Sequence, residues 1–141
     1  METRFFLPIL PPTVTHQEQQ VRVVHRGGKA VPQFYEPQEL KNARAKLLHH
    51  LEPYAPDKPM EGALRLVVKW CFPLDRGGRH RDGEPKASRP DTDNLEKLLK
   101  DCMTAARFWK DDAQVASEIC EKFWAERPGI FIQVTEWEGE P

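Results

Sequence analysis

Four aspartates in the sequence form two close pairs. Asp91 and Asp93 are separated by one residue, and Asp111 and Asp112 are adjacent. Carboxylates that gather in one place repel one another unless a cation sits between them. Mg²⁺ takes hard oxygen ligands, usually a few carboxylates with water and substrate phosphate completing its shell. The four acids are therefore candidate metal ligands for phosphodiester cleavage.

Each acidic pair also has an ordinary structural explanation. Asp93 can cap the helix that follows it, with Glu96 completing a capping box three residues later, and an Asp-Asp pair is common in turns. Short patterns of this kind often match by chance. The metal interpretation requires that the strand after Asp112 lie beside the start of the helix, so that all four carboxylates meet.

Lys97 lies four residues after Asp93, on the side of the predicted helix opposite its leucines. One interpretation is a surface ion pair one helical turn apart, which contributes ~0.3–0.5 kcal/mol. The other is a cation that neutralises charge on the scissile phosphate beside the metals. The spacing alone fits both interpretations.

A segment of 16 residues, Asp75 to Pro90, leads directly into Asp91 and is rich in glycine and basic residues. Loops of this length in a small domain are usually functional or disordered. We predict a flexible basic loop, at about residues 75–90, that attracts the phosphate backbone of a nucleic acid; a solvated loop without a ligand is the alternative. The candidate DNA-binding residues are Arg76, Arg79, Arg81, Lys86 and Arg89.

The composition limits the class of protein. The 141 residues suffice for one core and predict a single domain over residues 1–141. The net charge of −1 hides an excess of five positive charges in residues 1–110 and of six negative charges in residues 111–141. The cysteines are three in number and form no CxxC pair, which argues against a disulfide scaffold, and no histidine has the spacing of a zinc ligand. With neither a long apolar span nor a signal-peptide pattern, we expect a cytoplasmic protein.

The hydrophobic pattern predicts the element order β, β, β, α, β, α, β, β. The best-defined strand alternates over Ala63–Phe72, and the best-defined helix carries an apolar stripe from Leu95 to Ala106. The other predicted strands are Thr3–Leu10, Val21–Val24, Ala30–Tyr35, Ala113–Trp124 and Ile130–Trp137, a further helix follows Pro37, and Thr13–Gln20 is predicted to be a loop. The last two strands should pair as an antiparallel hairpin. We expect an α+β fold, in which two main helices pack against a mixed or antiparallel sheet.

The residues from Arg89 to Gln114 resemble the pattern of the RusA family of Holliday-junction resolvases. The resemblance rests on Arg89-Pro-Asp-Thr-Asp-Asn94, on Lys97, and on Phe108-Trp-Lys-Asp-Asp-Ala-Gln114. It implies a homodimeric endonuclease that depends on Mg²⁺, with Mn²⁺ as a substitute, and that cuts four-way DNA junctions without a small-molecule cofactor. Asp91, Asp93 and Asp112 match the family's metal-binding aspartates, Lys97 matches its catalytic lysine, and Asp111 matches an acid of less defined role.

The basic loop is longer here than in the shortest members of the family, which leaves the choice of substrate open. Two alternatives therefore remain at the level of the sequence. One is a metal-dependent nuclease for other branched DNA, such as flaps and forks, or for RNA. The other is a DNA-binding dimer without catalytic activity.

Overall fold

The computed structural model describes residues 1–15 and 20–140, and its elements follow the predicted order. Part of the predicted loop Thr13–Gln20, residues 16–19, lies outside the described residues. The strands are β1 (Glu2–Leu7), β2 (Gln20–Arg26), β3 (Lys29–Tyr35), β4 (Leu64–Pro73), β5 (Val115–Ala125) and β6 (Gly129–Glu136). The helices are α1 (Gln38–Leu51) and α2 (Thr92–Ala105), with short 3₁₀ turns at Glu52–Tyr54 and Asp112–Gln114.

The main sheet has four strands in the order β1-β6-β4-β5. Strand β4 lies inside the sheet, where it pairs parallel with β5 and antiparallel with β6, so the sheet is mixed as predicted. Strand β1 pairs antiparallel with β6 and ends earlier than predicted, at Leu7. Pro8 follows directly, and proline has no backbone N–H to continue the ladder.

The predicted hairpin between the last two strands is wrong, because β4 lies between β5 and β6. Alternation records which side of a strand is buried, but it does not identify the neighbouring strand. The apolar strand β4 pairs on both of its edges. The short connection after β5 crosses β4, so that β6 pairs with the opposite edge of β4. The close contact of β6 with β1 requires glycine at position 129, where a Cβ atom would lie 2.1 Å from the Phe6 ring.

One hydrophobic core joins the two helices to the sheet. Alternate residues of β4, among them Leu66, Val68 and Trp70, are fully buried. They pack with the apolar stripe of α2, which includes Leu98 and Leu99, and with the buried leucines of α1. The chain is therefore a single α+β domain, as predicted. None of the described helices has the length and apolar character that a membrane span needs.

Strands β2 and β3 form a separate two-stranded sheet. Their turn contains Gly27 and Gly28, both with positive φ (59° and 80°), which a tight hairpin turn needs and which glycine adopts without strain. The predicted glycine-turn hairpin is thus confirmed, although it stands apart from the main sheet.

Candidate active site and DNA interface

Asp91 and Asp93 lie at the start of α2. Asp91 is the residue that precedes the first helical turn, its side chain makes no capping hydrogen bond, and Asp93 lies within that turn. The predicted capping box of Asp93 and Glu96 is therefore wrong, since the helix begins two residues earlier than that interpretation requires. Both aspartates are exposed, and no described residue hydrogen bonds or forms an ion pair with either carboxylate. They remain available to a ligand.

Asp111 and Asp112 lie in the turn that leads into β5. The Asp111 carboxylate accepts a hydrogen bond from the backbone N–H of Ala113 (2.9 Å), while the Gln114 side chain accepts one from the N–H of Asp111 (3.1 Å). The amide of Gln114 also donates to the carbonyl of Met60 (3.0 Å), which fastens the turn to the segment before β4. Asp111 thus caps the turn. Asp112 is half-buried and lines a cleft of about 440 Å³.

The structure does not bring the two acidic pairs together within one chain. Helix α2 begins beside Cys120, whose thiol lies 4.0 Å from the Thr92 carbonyl, and runs back toward the start of β5. Its 14 residues extend ~21 Å, at ~1.5 Å per residue, and Asp111 and Asp112 follow its C-terminal end in the chain. The described residues contain no group of three histidine, cysteine, aspartate or glutamate side chains that could hold a metal.

The separation follows from the direction of β5. Convergence at the start of the helix required that β5 begin there. Because β5 runs parallel to β4 and α2 connects them, β5 begins at the opposite end of the helix. The expected meeting of Asp91, Asp93, Asp111 and Asp112 is therefore not found within a single chain.

Lys97 is exposed on α2, one turn beyond Asp93. Its ammonium lies 3.4 Å from the carboxylate of Asp101, one turn further along the helix, so the surface ion pair that was considered with Asp93 forms with Asp101 instead. Asp101 is also 3.7 Å from the guanidinium of Arg44. The ion pair of Lys97 is exposed and therefore weak, so the side chain can still swing toward a phosphate.

Glu96 is a buried acid that the sequence interpretation missed. Only 2% of its surface is exposed, one carboxylate oxygen accepts a hydrogen bond from the Trp70 indole (2.9 Å), and the other has no partner among the described residues. Burial, reinforced by the nearby Glu118, raises the pKa of Glu96 to about 7, while the Trp70 hydrogen bond and the nearby Cys120 thiol act to lower it.

A helical signal for this burial exists in the sequence. Glu96, Leu99 and Met103 recur at i, i+3 and i+7, so they share one side of α2. The capping-box interpretation assigned Glu96 to the helix start and obscured this spacing. Nearby, Lys100 forms an ion pair with Glu118 (2.8 Å), so the helix surface beside Glu96 carries both signs of charge.

The basic loop is held against β5 over part of its length. Gly83 donates a backbone hydrogen bond to the Trp124 carbonyl (2.7 Å), Trp124 donates to Glu84 (2.8 Å), and Lys86 donates to Lys122 (2.9 Å). These bonds extend the sheet beyond β5 and cover its open edge. A loop of this composition was predicted to be flexible, whereas its residues 83–86 have the contacts of an added strand.

The end of the loop is tied to the start of α2 by Lys122, a second residue that the sequence interpretation missed. Its ammonium donates to the carbonyls of Ser88 and Pro90, both at 2.7 Å. Asp91 follows directly, so Lys122 fixes the backbone that presents this carboxylate. No motif in the sequence links Lys122 to Pro90, which is 32 residues earlier in the chain.

The predicted DNA-binding residues fall into two groups. Arg76, Arg79, Arg81 and Arg89 are exposed cations. Lys86 is half-buried, with its ammonium 4.3 Å from the centre of the Trp124 ring. All five belong to the segment that leads into Asp91, and Arg89 is two residues before it.

Exposed paired acids beside a cationic segment, on an α+β scaffold, are typical of a nuclease. Residues 10–135 match the sequence profile of the family described as Endodeoxyribonuclease RusA. The chain is also 31% identical, over 137 residues, to a protein of Lactococcus phage r1t named crossover junction endodeoxyribonuclease rusA, and the match covers 96% of this chain and 97% of that protein. The chain therefore belongs to the RusA family of endodeoxyribonucleases.

Proposed function

We propose that this protein is an endodeoxyribonuclease that resolves four-way DNA junctions by hydrolysing phosphodiester bonds, in DNA recombination and repair. The observation that carries the proposal is the exposed pair Asp91 and Asp93, without partners among the described residues, at the end of a segment rich in arginine. The phage relative of similar length is named for this activity. We place this protein in the cytoplasm, because the proposed substrate is DNA and the three cysteines of the chain form no disulfide.

The metal that we propose is Mg²⁺, with Mn²⁺ as a substitute. Magnesium is usually held by one or two carboxylates, with water and substrate phosphate as its other ligands, so Asp91 and Asp93 have the donor chemistry it needs. A bound metal would polarise the phosphoryl oxygen and activate a water molecule. A third protein ligand, from Asp111 or Asp112, is not available at this end of α2 within one chain.

The residues around the acids have separable roles in this proposal. Asp91 and Asp93 hold the metal, and the rigid start of α2 orients them. Lys97 offsets negative charge that develops on the phosphate, since a positioned cation acts most strongly where water is excluded. The arginines of the loop bind the phosphate backbone and carry no sequence information.

We further propose that the protein acts as a homodimer. A four-way junction is cut at two symmetric points, and a two-fold dimer presents two identical sites. A dimer can also place the turn that contains Asp112 of one protomer beside Asp91 of the partner subunit. That arrangement would supply the third carboxylate that a single chain does not.

The experiment is a cleavage assay with a synthetic four-way junction, a flap, a fork, a single strand and an RNA duplex, each with Mg²⁺, Mn²⁺ or EDTA. We expect metal-dependent cleavage with the junction as the preferred substrate. Faster cleavage of a flap, a fork or RNA would favour the nuclease of other specificity. Inactivity with every substrate and metal would indicate a DNA-binding dimer without catalysis.

Variants assign the activity to the acids. Asp91→Asn, Asp93→Asn and Asp112→Asn should each abolish cleavage, while the affinity for the junction stays equal or rises because negative charge is removed from a surface that binds phosphates. Asp57→Asn is the matched control, since Asp57 is exposed and distant in sequence from both pairs. Loss of binding together with cleavage would count against a purely catalytic role.

A further inference from the structure

A cavity of about 300 Å³ lies between the segment after β1, the end of β4 and the basic loop. Its walls include two aromatic rings, Phe72 and Trp124, and two prolines, Pro11 and Pro73. Lys86 and Arg89 supply its charge, and no acidic residue of the described chain lines it. Its volume is at the lower end of the ~300–1,000 Å³ typical of small-molecule sites, which suits one flat ring system.

The aromatic wall is braced from the loop. The ring of His80 stacks on Trp124, with centroids 4.2 Å apart and planes 6° from parallel, and His80 also pairs with Glu84. The backbone N–H of Trp124 also donates a hydrogen bond to the carbonyl of Glu84. Contacts to its ring and to its backbone therefore both fix the position of Trp124. Trp124 is thus a preorganised surface for stacking.

The Lys86 ammonium lies over this wall, in cation–π contact with both aromatic rings. It lies 4.3 Å from the centre of the Trp124 ring and 5.1 Å from that of Phe72. Burial and the neighbouring ammonium of Lys122 lower the pKa of Lys86. An anion at the rim would attract the ammonium away from the rings, which would expose them to a stacking partner.

The rim of the cavity adjoins the acidic pair. Arg89 belongs to the lining and is two residues before Asp91. The carbonyl of the intervening Pro90 is fixed by Lys122. An occupant that stacks on Trp124 and places an anionic group near Arg89 would therefore lie next to the carboxylates that we assign to the metal.

We propose that this cavity binds one unstacked nucleobase of the branched DNA, with an adjoining phosphate on Lys86 and Arg89. The inference rests on the proposed function and identifies the part of the DNA substrate that binds in this cavity. Aromatic walls recognise the flat face of any base, and the cations match its phosphate. A base at a branch point loses a stacking neighbour, so it leaves the stack at a lower cost than a base inside a duplex. The cavity would thus favour branched DNA over duplex DNA.

The test combines abasic DNA with protein variants, and binding is measured without a divalent metal so that no cleavage occurs. Junctions carry a single abasic nucleotide at each branch-point position in turn. For the wild-type protein, we expect one position at which the abasic junction binds ~10-fold more weakly, as loss of one stacked base implies. Trp124→Leu should bind the intact junction more weakly by a similar factor. Its affinity should be the same for the intact junction and for the junction that is abasic at that position.

Two further variants complete the design. Trp137→Leu is the matched control, because Trp137 is also half-buried beside a cation, with the Arg65 guanidinium 5.0 Å from its ring, but lies outside the cavity. It should retain the wild-type response to the abasic position. Thr13→Trp adds a large side chain at the exposed rim of the cavity and leaves the core unchanged. It should block the cavity and show the same binding pattern as Trp124→Leu, which keeps the test decisive if Trp124→Leu folds poorly.

The outcomes separate this inference from the function on which it rests. If wild-type protein cuts an intact junction with Mg²⁺, but Trp124→Leu and Thr13→Trp respond to the abasic position as the wild type does, the base site is wrong and the nuclease stands. The base site is equally wrong if no abasic position weakens binding by the wild-type protein. If the wild-type protein neither binds nor cuts junctions, both proposals fail.

Discussion

At the scale of single residues, Glu96 is an acid in a place that disfavours its charge. Its side chain is enclosed between α2 and β4, with the Trp70 indole as hydrogen-bond donor to one oxygen. The second oxygen has no partner among the described residues. Burying an ionised carboxylate costs free energy that a single hydrogen bond does not offset, so the protonated form is favoured.

This burial predicts how stability depends on pH. The pKa of Glu96 is about 7 in the folded protein, above its usual 4.5, so the folded state binds this proton more tightly than the unfolded state does. The stability gained from this proton is fully present below pH 4.5 and is lost as the pH rises through 7. Glu96→Gln, which keeps a neutral acceptor for Trp70, should flatten that pH dependence. At pH 8 we expect the variant to be more stable by up to about 3 kcal/mol.

The measurement is urea unfolding at pH 5 and pH 8. Glu138→Gln, at an exposed position, serves as the control and should leave the pH dependence unchanged. If the free energy of unfolding changes by the same amount from pH 5 to pH 8 in the wild type and in Glu96→Gln, Glu96 is already ionised in the folded protein at pH 5.

Lys97 is a residue for which activity and stability should separate. Its ion pair with Asp101 is exposed, so Lys97→Ala should change the melting temperature very little. A cation positioned at a reacting phosphate contributes more, and we expect the single-turnover cleavage rate to fall ~100-fold or further. Lys58→Ala, another exposed lysine, is the control. Near-normal cleavage by Lys97→Ala would assign Lys97 to the surface ion pair alone.

At the scale of elements, the basic loop combines two tasks. Residues 83–86 add backbone hydrogen bonds to the edge of β5, and Lys122 fastens the loop end. An open parallel edge strand would otherwise expose unpaired N–H and carbonyl groups. The remaining loop cations, including Arg79 and Arg81, point to no described acidic partner and are available to phosphates.

The loop therefore predicts a salt effect. Replacing Arg76, Arg79 and Arg81 by alanine should weaken junction binding and flatten its salt dependence, because each lost phosphate contact lowers the log–log slope by ~0.9. Cleavage at saturating protein and low salt should recover, since the acids are untouched. A triple variant of Arg4, Lys46 and Lys58 makes the same change of charge elsewhere. An unchanged salt slope in the loop variant would exclude these arginines from the DNA interface.

At the scale of the whole molecule, one acidic pair lies at the start of α2 and the other follows this helix in the chain, directly before β5. The expected loss of cleavage in Asp112→Asn therefore requires that the turn containing Asp112 act across a dimer, and full activity of this variant would show that Asp91 and Asp93 suffice. Light scattering of the free protein tests the dimer itself. The contribution of Asp112 is tested with mixed variants.

Mixing inactive variants distinguishes these arrangements. If one site combines Asp91 of one protomer with Asp112 of the other, a heterodimer of Asp91→Asn and Asp112→Asn contains one intact site and one doubly altered site. The mixture should then nick one strand, while each variant alone is inactive. If each site is formed within one chain, both sites of the heterodimer are damaged and the mixture stays inactive. Mixing Asp91→Asn with Asp93→Asn is the control and should restore nothing in either case.

Several features could be predicted from the sequence alone. The alternation around Val68 defined β4, the leucine stripe of α2 defined the main helix, and the glycines at 27 and 28 defined a hairpin turn. These are local patterns, because burial on one side of a strand or helix repeats with its own period. The residues from Arg89 to Gln114 were also sufficient for the family resemblance, which the profile match over residues 10–135 confirms.

The partners of these elements were decided only by the tertiary structure. Periodicity shows that one side of a strand is buried, but β5 pairs with β4 and not with β6 because pairing depends on segments far apart in the chain. The same pairing puts Asp91 at the start of α2 and Asp112 directly before β5, and these acids form no metal-binding group among the described residues. It also buries Glu96 against Trp70, and brings Lys122 to the carbonyl of Pro90. Sequence patterns identified the chemical groups of the site, whereas long-range packing set the distances between them.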